Sequence, residues 1–340
     1  MKKYISLLAF SLAAMLVSCT NDEISISRTV NFTVNPSTVV SQFAVGEEQA
    51  GELEGFDTDC KLNVKLYIYN NQGDLVKTFN NSYSNYAVQM KASAFLDHGD
   101  YTAVAITHID APSHNLYFWK IEGEEKLEGM RIVDNGYVGG QNKVLGVSVK
   151  QFTVGDEITD LNINVQPAGS MLVVRYYNYL ALKNLGFTTF YLMGNKTMNY
   201  LEFDRSGNTS VVAENHNSQY DWIYDEIDAN EFSAGYNYIY SYEYILPMTN
   251  VGLQFYTEDD SYMYNLGSST NFNTQAGGCY YAYLSLNSDV SKITTSFGRY
   301  NGYSTAREEL AGFTERKCNN IHAAKSIFAG QTLYIKSLKK

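Results

Sequence analysis

Alternation of apolar and polar residues dominates this chain. In KLNVKLYIY, Lys61 to Tyr69, the residues Leu62, Val64, Leu66 and Ile68 fall on one face. Asn63, Lys65, Tyr67 and Tyr69 fall on the other. A period of two marks a half-buried strand. NNQGD (Asn70–Asp74) supplies turn chemistry and LVKTF follows, which predicts a hairpin. After a turn at Asp97–Asp100 the alternation returns in DYTAVAITHI, with Tyr101, Ala103, Ala105 and Thr107 on one face. TVNFTVNP precedes these strands, and YAVQM, NLYFWKI, KVLGVSVKQF and DLNINV complete a first series. A second series opens at QPAGS (Gln166–Ser170) with MLVVRYYNY. It runs through TTFYLMG, MNYLEFD, TSVVAE, YEYILPM, VGLQFYTED, SYMYNLG, GCYYAYLSL and KITTSFGRY to SIFAGQTLYIKSL.

Each segment is short and ends at Gly, Asn, Asp or Ser, a spacing that predicts all-β sandwiches or barrels. The break at Gln166 predicts two domains, 29–165 and 166–340. Thr305 to Arg316 is the one stretch that reads as a short helix. Thr305 and Glu308 make a capping box there, and Gly312 weakens the helix. Gly46 to Asp59 is acidic and aperiodic and reads as a long solvated loop.

The N-terminus follows a different pattern. Lys2 and Lys3 precede an apolar run from Ile5 to Val17, which is too short to span a bilayer and has the length of a secretory h-region. LVSC, ending at Cys19, resembles a bacterial lipobox. Residues 1–18 are then a lipoprotein signal peptide, and 19–28 a tether lipidated at Cys19. An ordinary signal peptide ahead of a chance cysteine is the alternative. Acyl chains contribute about 0.8 kcal/mol per buried CH₂, so several chains anchor stably. These readings anchor the protein to a membrane by its lipid, with no spanning segment.

Composition narrows the chemistry. The 29 Tyr and 17 Phe against four Pro favour strands. The net charge of −11 becomes more negative when the signal peptide leaves with its two lysines, which argues against nucleic-acid partners. His98, His108, His114, His216 and His322 are dispersed, without metal-binding spacing. Nucleotide, serine-hydrolase and calcium-loop motifs are absent from the sequence, so no enzyme activity, cofactor or metal is expected. Asp225, Asp228 and Glu231, and the pair Asp259 and Asp260, are carboxylate clusters of the kind a glycosidase needs, and equally of the kind any acidic chain carries in its loops. Cys60, Cys279 and Cys318 lack C-x-x-C spacing. Cys279 and Cys318 fall in one domain and are a candidate disulfide; three thiols are the alternative. Tyr236, Tyr238, Tyr240, Tyr242 and Tyr244 recur at every second position. On a strand they share one face. Exposed, they form a platform for a glycan or a protein, with Trp119 and Trp222 as further stacking surfaces. Packed, they fill the space against a neighbouring sheet.

KLNVKLYIYNNQGDLVKTF followed by LDHGDYTAVAITHI resembles the first domain of the fimbrillin superfamily of Bacteroidota. Gly73–Asp74 and Gly99–Tyr101 stand at that family's hairpin and following-strand motifs. GVSVKQF before LNINV is similar to its interdomain crossing, and YEYILPM before VGLQFYT to a motif of its second domain. The chain departs from the family at Ala168–Gly169, where an Arg is common. The resemblance implies two tandem transthyretin-like, Greek-key β-sandwich domains in a surface fimbrial subunit. In stalk subunits a protease removes the first strand after a basic residue, and a neighbour's strand fills the groove. The long loop between the first strand and Lys61 contains no Lys or Arg. The expected role is therefore a base subunit of the FimB anchor type, partnered with a stalk subunit or another surface protein. A glycan-binding surface lipoprotein is the alternative. Asp22 and Glu23 resemble a surface-export signal of Bacteroidota lipoproteins, which implies an outward-facing tether at the outer membrane.

Overall fold

The computed structural model describes residues 27–36, 60–84, 88–136, 143–157, 159–184, 186–215, 222–230, 238–258, 263–286, 292–300, 307–309 and 314–317. Among them the strands, β1 to β23 in chain order, form five sheets. Cys19, Asp22, Glu23, the loop Gly46 to Asp59 and the terminal SIFAGQTLYIKSL lie outside the described residues.

The first sandwich pairs a small sheet with a larger one. The small sheet runs β10 (Thr159–Asn164), β1 (Ser27–Asn35), β4 (Met90–Asp97). β1 is central, parallel to β10 and antiparallel to β4. The larger sheet runs β11 (Gln166–Pro167), β9 (Leu145–Val154), β5 (Gly99–Ala111), β2 (Lys61–Asn70), β3 (Leu75–Tyr83), with β6 (Leu116–Tyr117) on β5. Phe32 of β1 joins the two layers, with ring centroids 6.3 Å from Phe79 and 5.7 Å from Phe152. The β2–β3 hairpin turns where expected. Asn70 Oδ1 accepts the N–H groups of Gln72 and Asp74 at 3.0 and 2.9 Å, and Gly73 takes a φ of +80°.

The second sandwich packs β17 (Tyr238–Ile245), β12 (Ser170–Tyr177), β20 (Cys279–Leu286), β21 (Lys292–Tyr300) and β22 (Arg307–Glu309), with β23 (Thr314–Lys317) also on β21, against a second layer. That layer is β16 (Trp222–Asp228), β13 (Thr189–Gly194), β18 (Val251–Glu258), β19 (Met263–Phe272). Tyr176 lies 5.0 Å from Phe190, and Phe255 5.4 Å from Phe297, across the interior. The fold is all-β and sandwich-like, as the alternation predicts.

Two local expectations need correction. The stretch read as helical contains β22 and β23, both paired antiparallel with β21. A capping box is a local signal, and an isolated helix of this length is marginal, so the edge of β21 offers the stronger set of backbone partners. The α-helix among the described residues is α1 (Tyr179–Lys183), which buries Tyr179 and Leu182. Tyr67 and Tyr69, assigned to the polar face of β2, are fully buried. The segment from Gly123 to Met130 covers that face: Leu127 N–H donates to Gly73 O at 2.8 Å, and Tyr69 Oη donates to Glu124 O at 3.0 Å.

The fifth sheet runs β15 (Thr209–Asn215), β14 (Lys196–Phe203), β8 (Arg131–Asp134), β7 (Trp119–Glu122). It takes two strands from each side of residue 166. Tyr200, Leu201 and Glu202 of β14 pair with Val133, Ile132 and Arg131 of β8. The tip of the β14–β15 hairpin also rests on the first sandwich, where a Cβ at Gly207 would lie 2.6 Å from Val149 Cγ1.

Candidate functional site

The tyrosine stripe lies on β17, and strand register decides what it meets. Tyr238, Tyr240, Tyr242 and Tyr244 stand opposite Tyr177, Arg175, Val173 and Met171 of β12. On the far side of β12, Tyr281 and Tyr283 of β20 stand opposite Val173 and Arg175. Arg175 is thus surrounded by rings: its guanidinium carbon is 5.2 Å from the Tyr238 centroid and 5.5 Å from that of Tyr283, and Nη1 donates to Tyr177 Oη at 3.3 Å. Such cation–π contacts hold a guanidinium in place.

The stripe is not uniform. Tyr240 is 38% exposed, and Tyr238 and Tyr242 are half-buried beside it. Neighbouring rings are tilted by 49° and 74° at centroid distances of 5.9 and 5.3 Å, so they form a ridge rather than a flat stacking platform. Val173, Tyr281 and Tyr283 beside the ridge are buried. Tyr236 lies outside the described residues.

Tyr244 is buried although it shares the stripe's parity. Its hydroxyl donates to Leu145 O at 2.5 Å and accepts the Gly169 N–H at 2.6 Å. Its ring meets Trp119 edge-on at 6.4 Å. Burial raises the Tyr244 hydroxyl well above its ordinary pKa. This contact explains Gly169. A Cβ there would lie 2.5 Å from Ile245 O and 2.5 Å from the Tyr244 ring, so no side chain fits. Trp119 is buried too; its indole N–H donates to Lys143 O at 2.8 Å, and the Lys143 ammonium pairs with Asp134 at 2.6 Å. Trp119 therefore offers no stacking surface. Sequence reasoning did not find this joint, and its one local signal was the glycine of QPAGS.

Of the carboxylate clusters, Asp225 and Asp228 lie among the described residues. Asp225 of β16 is buried, and its Oδ1 accepts the Ser241 hydroxyl. Burial pushes its carboxyl up to about 7. Asp228 ends the same strand at the surface and accepts the Asn230 N–H. Glu231, Asp259 and Asp260 lie outside the described residues. His98 approaches Asp156 at 3.8 Å, and buried His108 approaches Asp110 at 3.3 Å. Among the described residues no group of three His, Cys, Asp or Glu is placed to hold a metal ion, and no helix is long and apolar enough to cross a membrane. Cys60 is buried; Cys279 is partly buried, and burial pushes its thiol up to about 12. Cys318, and with it the candidate disulfide, lies outside the described residues.

A second candidate surface is the β1 position itself. Val30, Phe32 and Val34 are buried, and the strand keeps a ladder on both edges. Arg28 is its second residue.

No protein-family model and no curated protein sequence matches the chain. Among solved structures, the fimbrial anchor protein Mfa2 of Porphyromonas gingivalis aligns over 82% of this chain and 100% of its own, at 11% identity and a TM-score of 0.44. The tip fimbrial protein Mfa3 of the same organism, with a C-terminal truncation, aligns over 81% and 100%, at 9% identity and a TM-score of 0.43.

Proposed function

We propose that this chain is a lipid-anchored cell-surface subunit that forms the base of a fimbrial filament and pairs with a stalk subunit by strand addition. The observation that carries the reading is the seating of β1. It fills the centre of its sheet between β10 and β4. Emptying that place requires a cut between β1 and β2. No Lys or Arg occurs from Thr29 to Cys60. A cut after Arg28, inside β1, leaves Thr29–Asn35 joined to the rest of the chain. The connection itself therefore gives a trypsin-like protease no site, and the next one, after Lys61, lies inside β2, where Lys61 pairs with Asp110 of β5, which suits a subunit that stays at the base.

The lipobox at Cys19 supports the same role. The tether between Cys19 and Ser27 is seven residues long and reaches at most about 25 Å. Load on the lipid would pass directly into a strand with neighbours on both edges. The ridge of Tyr238, Tyr240 and Tyr242 with Arg175 has the residue types that dominate protein interfaces. Its tilted rings favour a protein partner over a sugar.

Mass spectrometry of the membrane-extracted protein tests the assignment. Acylated Cys19 at the N-terminus is the expected result. A mature chain starting at Thr29 sinks the base assignment and returns a stalk or tip role. Asp22→Ala with Glu23→Ala should keep the lipid and abolish cleavage by protease added to whole cells. Unchanged cleavage removes the export role of that pair.

A further inference from the structure

The sheet shared by the two halves carries a cleft that none of the readings above uses. It has a volume of about 420 Å³ and is lined from both sides of residue 166. Glu122 and Arg131 come from β7 and β8, Asn135 follows β8, Asn199 and Tyr200 come from β14, and Glu214 from β15. This lies in the size range of small-ligand sites, about 300–1,000 Å³. Such sites are usually lined by apolar side chains, and here seven of the ten lining residues carry a carboxylate, amide, guanidinium or phenol group.

Arg131 is fixed before any ligand arrives. Its Nε and Nη2 both donate to Glu202 Oε1, at 3.0 and 2.7 Å, and its guanidinium carbon lies 4.7 Å from the Tyr200 centroid. Two of its five N–H donors are thus engaged by Glu202. Asn199 Oδ1 accepts the Glu214 N–H at 3.4 Å, which orients its amide. The outcome is an aromatic ring ringed by oriented donors and carboxylate acceptors.

Charge selects the ligand class. The wall's charges are largely answered within the protein: Glu122 pairs with Lys120 at 2.6 Å, Asp134 with Lys143 at 2.6 Å and Arg131 with Glu202 at 2.7 Å. That leaves little field to hold an anion or a cation. A neutral polyhydroxylated molecule suits such a wall: hydroxyls donate to carboxylates and accept from guanidinium and amide, and the apolar face of a sugar ring meets the wall at Val133 and Tyr200. We propose that this cleft binds a neutral saccharide, such as the end of a glycan chain.

Titration of the full chain in detergent by calorimetry and NMR tests this. The probes are neutral disaccharides (mannobiose, lactose, cellobiose and maltose), with N-acetylneuraminic acid and glucosamine as charged controls. At least one neutral disaccharide should bind in the millimolar range or tighter, and neither charged sugar should. Asn199→Ala and Glu214→Gln should each weaken binding about tenfold, the loss of roughly 1.4 kcal/mol, with an unchanged melting temperature. Tyr240→Ala, on the other surface, should leave binding intact. Four results overturn the proposal: no neutral probe binds, a charged control binds in preference, both cleft variants bind like the parent, or Tyr240→Ala alone abolishes binding.

Discussion

Tyr244 connects the two halves of the chain through one hydroxyl. It donates to Leu145 O in the first sandwich and accepts from Gly169 N–H at the entry to the second. Tyr244→Phe keeps the ring against Trp119 and leaves the Gly169 N–H without its partner. A buried unsatisfied donor costs about 1–3 kcal/mol, and urea denaturation should show a loss of that size. Gly169→Ala forces a carbon against a backbone oxygen and the same ring; overpacking of this kind costs about 1–3 kcal/mol. It should lower the denaturation midpoint without changing secondary structure by circular dichroism. Asp225 adds a pH dependence of definite sign. Burial raises its folded-state pKa from 3.8 to about 7. The folded protein then holds a proton that the unfolded chain releases. Its stability contribution is complete below pH 4, falls between pH 4 and 7, and is gone above pH 7. At about 1.4 kcal/mol per unit, the swing is up to about 4 kcal/mol. Asp225→Asn should therefore melt higher than the parent at pH 8 and together with it at pH 4.

β1 holds the centre of its sheet. It shares ladders with β10 and β4, and Phe32 packs between the layers. Phe→Ala in such a position costs about 3–5 kcal/mol. Trypsin applied to the native protein should leave 29–60 uncut, since that stretch has no Lys or Arg, and β1 should co-purify with the rest. Its release as a separate peptide would falsify the base assignment. The alternation TVNFTVN made β1 legible as a strand, because a period of two follows directly from backbone geometry. The segment Thr305 to Arg316 was misread because capping chemistry is local, whereas the edge of β21 comes from residues 292–300. Tyr67 and Tyr69 were misplaced for a related reason. Amphipathic side chains suit either face, and the cover from Gly123 to Met130 is distant in sequence.

Across the whole molecule, the shared sheet ties the sandwiches together. β8 and β14, which lie on opposite sides of residue 166 in the sequence, exchange backbone hydrogen bonds, and Arg131 pairs with Glu202 at 2.7 Å along the same seam. The hairpin tip at Gly207 and the Tyr244 joint add two further attachments. Thermal unfolding followed by calorimetry should show one transition, because neither half can open without breaking β8–β14 pairing. Two separated transitions would mean that the seam contributes little. Cys19→Ala should move the whole folded protein from the membrane fraction to the soluble one, leaving that transition in place.

Sequence alone determined the all-β class, the β2–β3 hairpin and the strands with clear alternation, and it carries the expectation of a lipid at Cys19. Each rests on local rules: side-chain alternation, turn residues or a contiguous motif. Only the tertiary structure decided that one stripe of tyrosines divides into an exposed ridge and a buried joint, that Gly169 has no room for a side chain, and that Arg131 and Tyr200 meet in a cleft. Those outcomes depend on residues tens of positions apart being brought within a few ångströms, and no local pattern encodes which distant strand arrives.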